Sequence, residues 1–195
     1  MRKIHQILGL IMLLPIIAWA ITGTYFFFKP GYQEAYQALN VKTYPLTYID
    51  KLPKGEWLET KQLKTVLGQH VFLKDNKQRH HFIMPSWQAV DILSKKQINA
   101  LVADAITANK TRYGEIKSIT NNQILTTTNV VITLNWPLLS LRQQGKDTDF
   151  INTMYNIHYL RWSGNKTLDQ YLGVIGLFLV LLLAGIGTWM TIKRT

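Results

Sequence analysis

Not one of the 195 residues is a cysteine. That excludes disulfides, iron–sulfur clusters and thiolate metal sites, so any part of the chain outside the cell rests on packing alone. Histidine becomes the main side chain able to hold a transition metal. Acidic residues are scarce too: 11 Asp and Glu stand against 22 Lys and Arg, for a net charge of +11. The chain has no G-x-S-x-G elbow, no H-E-x-x-H helix and no P-loop, which removes the common hydrolytic and nucleotide-binding machinery. Nothing in it resembles a nicotinamide or flavin site.

What is abundant is apolar length at the two ends. A mean hydropathy of zero conceals it, because a polar middle cancels two greasy termini. Ile7 to Phe28 and Tyr171 to Ile192 are each 22 residues without a charge. At about 1.5 Å per residue such a helix reaches roughly 33 Å, enough to cross a bilayer core. The expected layout is a short N-terminus (1–6), a first span (7–28), a central domain (29–170), a second span (171–192) and a short C-terminus (193–195). Ala18-Trp19-Ala20 fits a signal-peptidase pattern. The apolar run continues eight residues past it, so the segment reads as an uncleaved anchor.

Arg2 and Lys3 precede the first span, and Lys193 and Arg194 follow the second. The positive-inside rule therefore predicts cytoplasmic termini and an exported middle. Subtracting those four leaves 18 basic residues against 11 acidic ones in the middle, or +7. Such a surface suits anionic lipid headgroups or an anionic small molecule. No nucleic-acid partner is expected, because this orientation exports most of the basic residues.

The middle reads as α+β. Lys29-Pro30-Gly31 ends the first span. Gln33 to Leu39 is expected as a short helix, Asn40 to Gly55 as a linker or edge strand, and Glu59 to Leu67 as a helix ending at Gly68. His70 to Lys74 and Arg79 to Met84 read as strands around a turn at Asp75-Asn76-Lys77-Gln78. Trp87 to Leu93 is a third expected strand. Ser94-Lys95-Lys96-Gln97 is a capping box, followed by Ile98, Leu101, Val102, Ala105 and Ile106 at helical spacing. Tyr113 to Ile119, Ile124 to Thr128 and Val130 to Asn135 are predicted strands, with Pro137 stopping the last. The sum is a small antiparallel sheet with a helix on one face. Asp147 to Trp162 regains helical periodicity, with Ile151, Met154, Tyr155, His158 and Trp162 on one side. Its aromatics predict an interfacial helix.

On the first span, His5, Gly9, Met12, Ile16, Trp19 and Gly23 share a face. Gly173, Gly176, Val180, Ala184, Gly187 and Thr191 form a small-residue face on the second, suited to close helix packing. His80 and His81 are adjacent in a strand and point to opposite sides. Those two and His70 read as surface histidines. His5 and His158 are expected at opposite faces of the membrane. Taken singly each reads as structural. As a pair, on helices that can meet their own copies across a twofold axis, they could supply one imidazole to each side of a haem iron. Two helices alone make a thin bundle, so a homodimer is expected.

Arg2-Lys3-Ile4-His5-Gln6-Ile7-Leu8-Gly9-Leu10 and Thr22-Gly23 resemble the opening of the PepSY-associated transmembrane family of bacterial inner-membrane proteins. Ile157-His158-Tyr159-Leu160-Arg161-Trp162, with Leu168 to Gly176 and Ala184-Gly185-Ile186-Gly187, resembles its histidine-bearing outer segment and glycine-rich last span. Ser94 to Ala108 and the flanking strands are similar to a PepSY domain. The resemblance implies a periplasmic domain and haem b held through His5 and His158. It further implies electron transfer to a ferric chelate or ferric siderophore in iron uptake, with a quinone or another protein as donor. Larger members have about four spans, so this two-span chain resembles a minimal one whose haem sites need a homodimer or a partner membrane protein. The alternative implied by other PepSY domains is a non-catalytic, membrane-tethered binding or regulatory module, or an accessory factor for a transporter or protease.

Overall fold

The computed structural model describes residues 2–46, 52–89 and 92–193. They fall into two compact units: one runs from the N-terminal helix to Ala35 and resumes at Asp147, and the other is Tyr36–Lys146.

The first unit is a helical hairpin. α1 (Arg2–Phe28) and α6 (Lys166–Ile192) are each 27 residues long, about 40 Å of helix. Both start about a turn before the charge-free runs. Their outer faces are unpaired and apolar: Leu10 is 75 % exposed, Leu181 70 % and Val174 67 %. Helices of this length and greasiness belong in lipid. Pro15 sits inside α1, as membrane helices tolerate. Met12 and Thr22 are the buried residues of α1, and Gly176 and Asp169 those of α6. Val180 and Gly187 are half-buried, whereas Ala184 and Thr191 of the expected small-residue face are exposed.

α2 (Tyr32–Ala35) is a single turn, shorter than the Gln33–Leu39 helix expected. α5 (Lys146–His158) packs aromatics on the end of α1: Tyr155 stacks on Phe26 at 4.5 Å, and Phe150 meets Tyr25 edge-on at 5.5 Å. It stops four residues before the predicted Trp162. Leu160 adopts φ +53°, its N–H donates to Ile157 O at 3.3 Å, and Arg161 N–H donates to Asn156 O at 2.8 Å. These are the paired bonds of a Schellman stop. A leucine in the left-handed region is strained. Burial offsets that strain, since Leu160 is only 6 % exposed.

The second unit holds two four-stranded antiparallel sheets, where one sheet was expected. The first is β1 (Glu59–Thr65), β2 (Gly68–Lys74), β3 (Arg79–Met84) and β4 (Gln88–Ala89), in that order. Glu59–Leu67, expected as a helix, is thus strand β1: its Glu, Lys, Gln and Leu favour helix, but seven register pairs with β2 override the propensity. The Asp75–Gln78 turn closes β2 onto β3 as expected, with Asp75 Oδ1 accepting from the Lys77 and Gln78 amides, both at 2.7 Å. Of the predicted Trp87–Leu93 strand, Gln88–Ala89 is strand, and residues 90 and 91 lie outside the described residues. So do residues 47–51 of the expected linker.

α3 (Lys95–Ile106) carries the predicted capping box. Its five expected apolar positions are all buried. A 3₁₀ turn (Thr107–Asn109) and α4 (Lys110–Tyr113) follow. The second sheet is β5 (Ile116–Thr120), β6 (Gln123–Thr126), β7 (Val131–Asn135) and β8 (Ser140–Gln144). Tyr113 ends a helix rather than opening a strand. Pro137 does stop β7, but it does so inside a turn that returns the chain as β8, which has no counterpart in the sequence reading. The core joins Leu101, Val102 and Ile106 of α3 to Ile124, Ile132 and Leu134 of the second sheet, and Leu63, Phe72 and Ile83 of the first sheet pack against it. Each such side chain contributes about 1.5–3 kcal/mol on burial.

Candidate functional site

His158 ends α5, where the stacked aromatics hold that helix against α1. Its Nδ1 lies 2.8 Å from Thr22 Oγ1. The Thr22 hydroxyl gives its own proton to Ala18 O at 2.6 Å. Its oxygen is therefore left to accept from His158 Nδ1–H, which in the neutral ring leaves the lone pair on Nε2. Trp19 Nε1–H donates to His158 O at 2.7 Å and pins the same helix end. Phe26 and Tyr159 meet the imidazole edge-on at 5.1 and 5.3 Å. The ring opens onto a cavity of about 410 Å³ lined also by Trp19, Leu160, Gly173 and Leu177. Nε2 makes no hydrogen bond among the described residues. An Nδ1 held by the Thr22 hydroxyl and an Nε2 without a described partner, on a residue lining a mostly apolar cavity, are what a metal-ligating histidine needs.

His5 stands at the other end of the hairpin. A Cβ at Gly187 would come within 3.2 Å of His5 Cε1, so the glycine leaves the room in which the ring lies against α6. His5 Nδ1 is buried with no hydrogen-bond partner, an uncommon and costly state for a ring nitrogen. A cavity of about 810 Å³ opens beside it, lined by Arg2, Trp189 and Lys193 among others. Seventeen residues of α1 separate His5 from Thr22, so the two histidine sites lie roughly 25 Å apart along that helix. The fold keeps His5 and His158 apart and gives each end of the hairpin one imidazole.

The donor set is of the kind haem iron takes, as far as one chain can supply it: one imidazole per end, each lining a cavity that also has a glycine in its wall. A six-coordinate iron would need a second imidazole from another copy or a partner.

The second unit carries a histidine arrangement that the sequence reading missed. His70 is not a surface residue; it is fully buried. Its Nε2 lies 2.7 Å from Thr65 Oγ1 and its Nδ1 2.9 Å from His81 Nε2. His81 stacks on Phe72 at 4.1 Å and meets Trp136 at 4.4 Å, and its Nδ1 is buried without a partner. Burial pushes the His70 imidazole down to about 4, helped by the neighbouring His81, and burial likewise pushes His81 down to about 4. His80 points to the opposite face as expected, with Nε2 2.9 Å from Asp75 Oδ2 and Trp57 edge-on at 5.6 Å. The His80 contact, then the Gln78 and Lys77 amides, hold the Asp75 carboxyl at about 2. The only sequence signal for the buried pair was alternation: His70 and Phe72 share a face of β2, and that face packs on the core. No cluster of three or more His, Asp or Glu able to hold a metal ion occurs among the described residues.

A family model described as the PepSY-associated TM region matches residues 2–195. No curated protein and no solved structure matches the chain.

Proposed function

The chain belongs to the PepSY-associated transmembrane family, and from that premise we propose that it serves haem b-linked electron transfer across a bacterial inner membrane. The acceptor in this reading is a ferric chelate or ferric siderophore in the periplasm, and the donor a quinol or another membrane protein. One electron reduces each ferric centre, and the ferrous ion leaves hard oxygen ligands more readily and becomes available for uptake. Both termini are cytoplasmic in this reading, in keeping with the basic residues at each end of the hairpin.

The observation that carries the proposal is His158: Thr22 engages its Nδ1, and the residue lines a mostly apolar cavity. When bound, haem b supplies the reversible one-electron iron couple. The chain's own residues would position it. Thr22 and Trp19 lock the His158 end of α5, and Gly187 gives the His5 ring its space. A twofold partner would bring the second imidazole to each end.

The test is the absorption spectrum of the full chain purified in mild detergent from haem-replete cells. The expected result is a Soret band that shifts on dithionite and disappears in the His5→Ala, His158→Ala double variant. A colourless, well-folded protein would refute the proposal and favour the tethered binding module.

A further inference from the structure

A second cavity, of about 610 Å³, lies against α6 next to the His158 cavity, and the two share Tyr159, Gly173 and Leu177. Its upper wall is cationic and its floor apolar. Arg161 leaves the Schellman stop after α5 and stacks its guanidinium over Tyr159 at 5.1 Å. Lys166 opens α6. Neither forms an ion pair with a described residue. The one carboxylate in the wall, Asp169, accepts from Ser163 N at 2.9 Å and Ser163 Oγ at 2.7 Å and also attracts Arg161, so it balances that charge in part and leaves Lys166 unpaired among the described residues. Gly173 and Leu177 lie seven and eleven residues beyond Lys166, roughly 10 and 16 Å further along α6. A Cβ at Gly173 would meet nothing within 4 Å, so the groove there is open space.

Two cations facing a single hydrogen-bonded carboxylate leave net positive charge at the end of a membrane helix, and with the apolar groove running along that helix they match one class of amphiphile: an anionic head on an acyl chain. Surface-level Arg and Lys attract anionic headgroups. A groove that takes the chain adds apolar contact. We infer that this groove is a binding site for one anionic phospholipid. Its phosphate sits between Arg161 and Lys166, and its acyl chain runs over Gly173, Val174 and Leu177. Gln170, also in the wall, is placed to hydrogen-bond the headgroup glycerol. The headgroup end of the site uses neither His5 nor His158, while its floor at Gly173 and Leu177 is shared with the His158 cavity, so a group bound beside His158 would compete with the acyl chain there.

Native mass spectrometry of the full chain in detergent tests it, with phosphatidylglycerol and phosphatidylcholine of identical chains as probes. The wild type is expected to retain one phosphatidylglycerol at least tenfold more tightly than phosphatidylcholine. The R161Q/K166Q double variant should bring the two lipids to parity, and Gly173→Leu should lower retention of both by filling the groove. Circular dichroism and thermal unfolding show whether each variant is folded. If a variant is not, unlabelled phosphatidylglycerol displacing a brominated analogue that quenches Trp162 supplies the same comparison on the wild type. Equal retention of the two lipids by the wild type would overturn the inference. So would undiminished phosphatidylglycerol selectivity in R161Q/K166Q, or a retained porphyrin mass in place of the lipid.

Discussion

Thr22 and His158 are 136 residues apart in sequence and 2.8 Å apart in space, and the hydroxyl between α1 and α5 decides which imidazole nitrogen keeps its lone pair. Because Thr22 O–H is committed to Ala18 O, only one tautomer satisfies both groups. Thr22→Val keeps the shape and removes the acceptor. The orphaned Nδ1–H costs about 1–3 kcal/mol, and losing such a supporting bond weakens metal ligation by about 10- to 100-fold. Haem titration of the full chain, followed at the Soret band, should show that loss. Nitrogen-15 spectra of His158 without haem should show a bare Nε2 in the wild type and mixed tautomers in Thr22→Val. Identical spectra would remove the argument.

The Leu160–Gly176 contact fixes where α5 ends on α6. A Cβ at Gly176 would lie 3.0 Å from Leu160 Cδ1 and 3.8 Å from the Trp19 ring. Gly176→Leu therefore overpacks the joint, at about 1–3 kcal/mol. Leu160→Ala vacates the same space, so the double variant should recover part of the loss. Thermal unfolding in detergent gives the three values of the cycle. Strict additivity would show that the two positions do not share this space.

The buried pair His70–His81 predicts acid sensitivity. Both imidazoles titrate near 4 in the folded chain, against 6.5 when free. Above pH 6.5 neither state binds the protons, and stability is intact. Between pH 6.5 and 4 the unfolded chain binds protons that the folded one refuses. Stability then falls by about 1.4 kcal/mol per pH unit for each histidine, with the slope belonging to the coupled pair. Asp75, held at about 2, acts in a separate window: its contribution is present above about pH 4 and is lost as pH falls toward 2. Urea unfolding monitored by tryptophan fluorescence should weaken by about 2–4 kcal/mol from pH 7 to 5. His81→Phe, which keeps a stacked ring on Phe72, should roughly halve that slope. A midpoint that does not move between pH 7 and 5 would contradict the assignment.

The parts of this fold that were legible in the sequence are those where local chemistry and final environment agree. α3 announces itself by Ser94 and Gln97 and buries the five apolar residues its spacing selects. Both long helices follow from their apolar runs, and of the expected shared face of α1, His5, Gly9, Met12, Trp19 and Gly23 are half-buried or buried while Ile16 is exposed. β1 was illegible because Glu59, Lys61, Gln62 and Lys64 are helix formers that become strand only when β2 pairs with them. β8 follows a proline that reads as a stop, and its Ser, Arg and Gln residues alternate exposed and half-buried without a strong apolar signal. At the candidate site, spacing picked out His5 and His158, but only tertiary structure brings Thr22 to His158 and Gly187 to His5. His70 was misread for the same reason: a polar side chain in a short strand reads as solvent-facing until its partners, Thr65 and His81, are in place.

Gly114 is the position where backbone and packing both forbid a side chain. It follows α4 with φ +61°, a conformation L side chains rarely adopt. A Cβ there would also collide with Thr127 Oγ1. That hydroxyl is not free to move, because it accepts from Glu115 N at 3.0 Å while Thr127 N donates to Glu115 O at 2.8 Å. The same corner holds Thr128 Oγ1 to Arg112 O at 2.6 Å, tying the end of α4 to the β6–β7 turn. Gly114→Ala should therefore destabilise the chain by about 2–4 kcal/mol, combining the roughly 1–3 kcal/mol of backbone strain at φ +61°, ψ −123° with loss of the Thr127 hydrogen bond. Thr127→Ala in the same chain removes the collision but not the strain, and should return stability only part of the way toward the Thr127→Ala single variant. Chemical unfolding of the three variants checks this; a Gly114→Ala chain as stable as the wild type would mean that the corner can relax in a way the hydrogen bonds around it argue against.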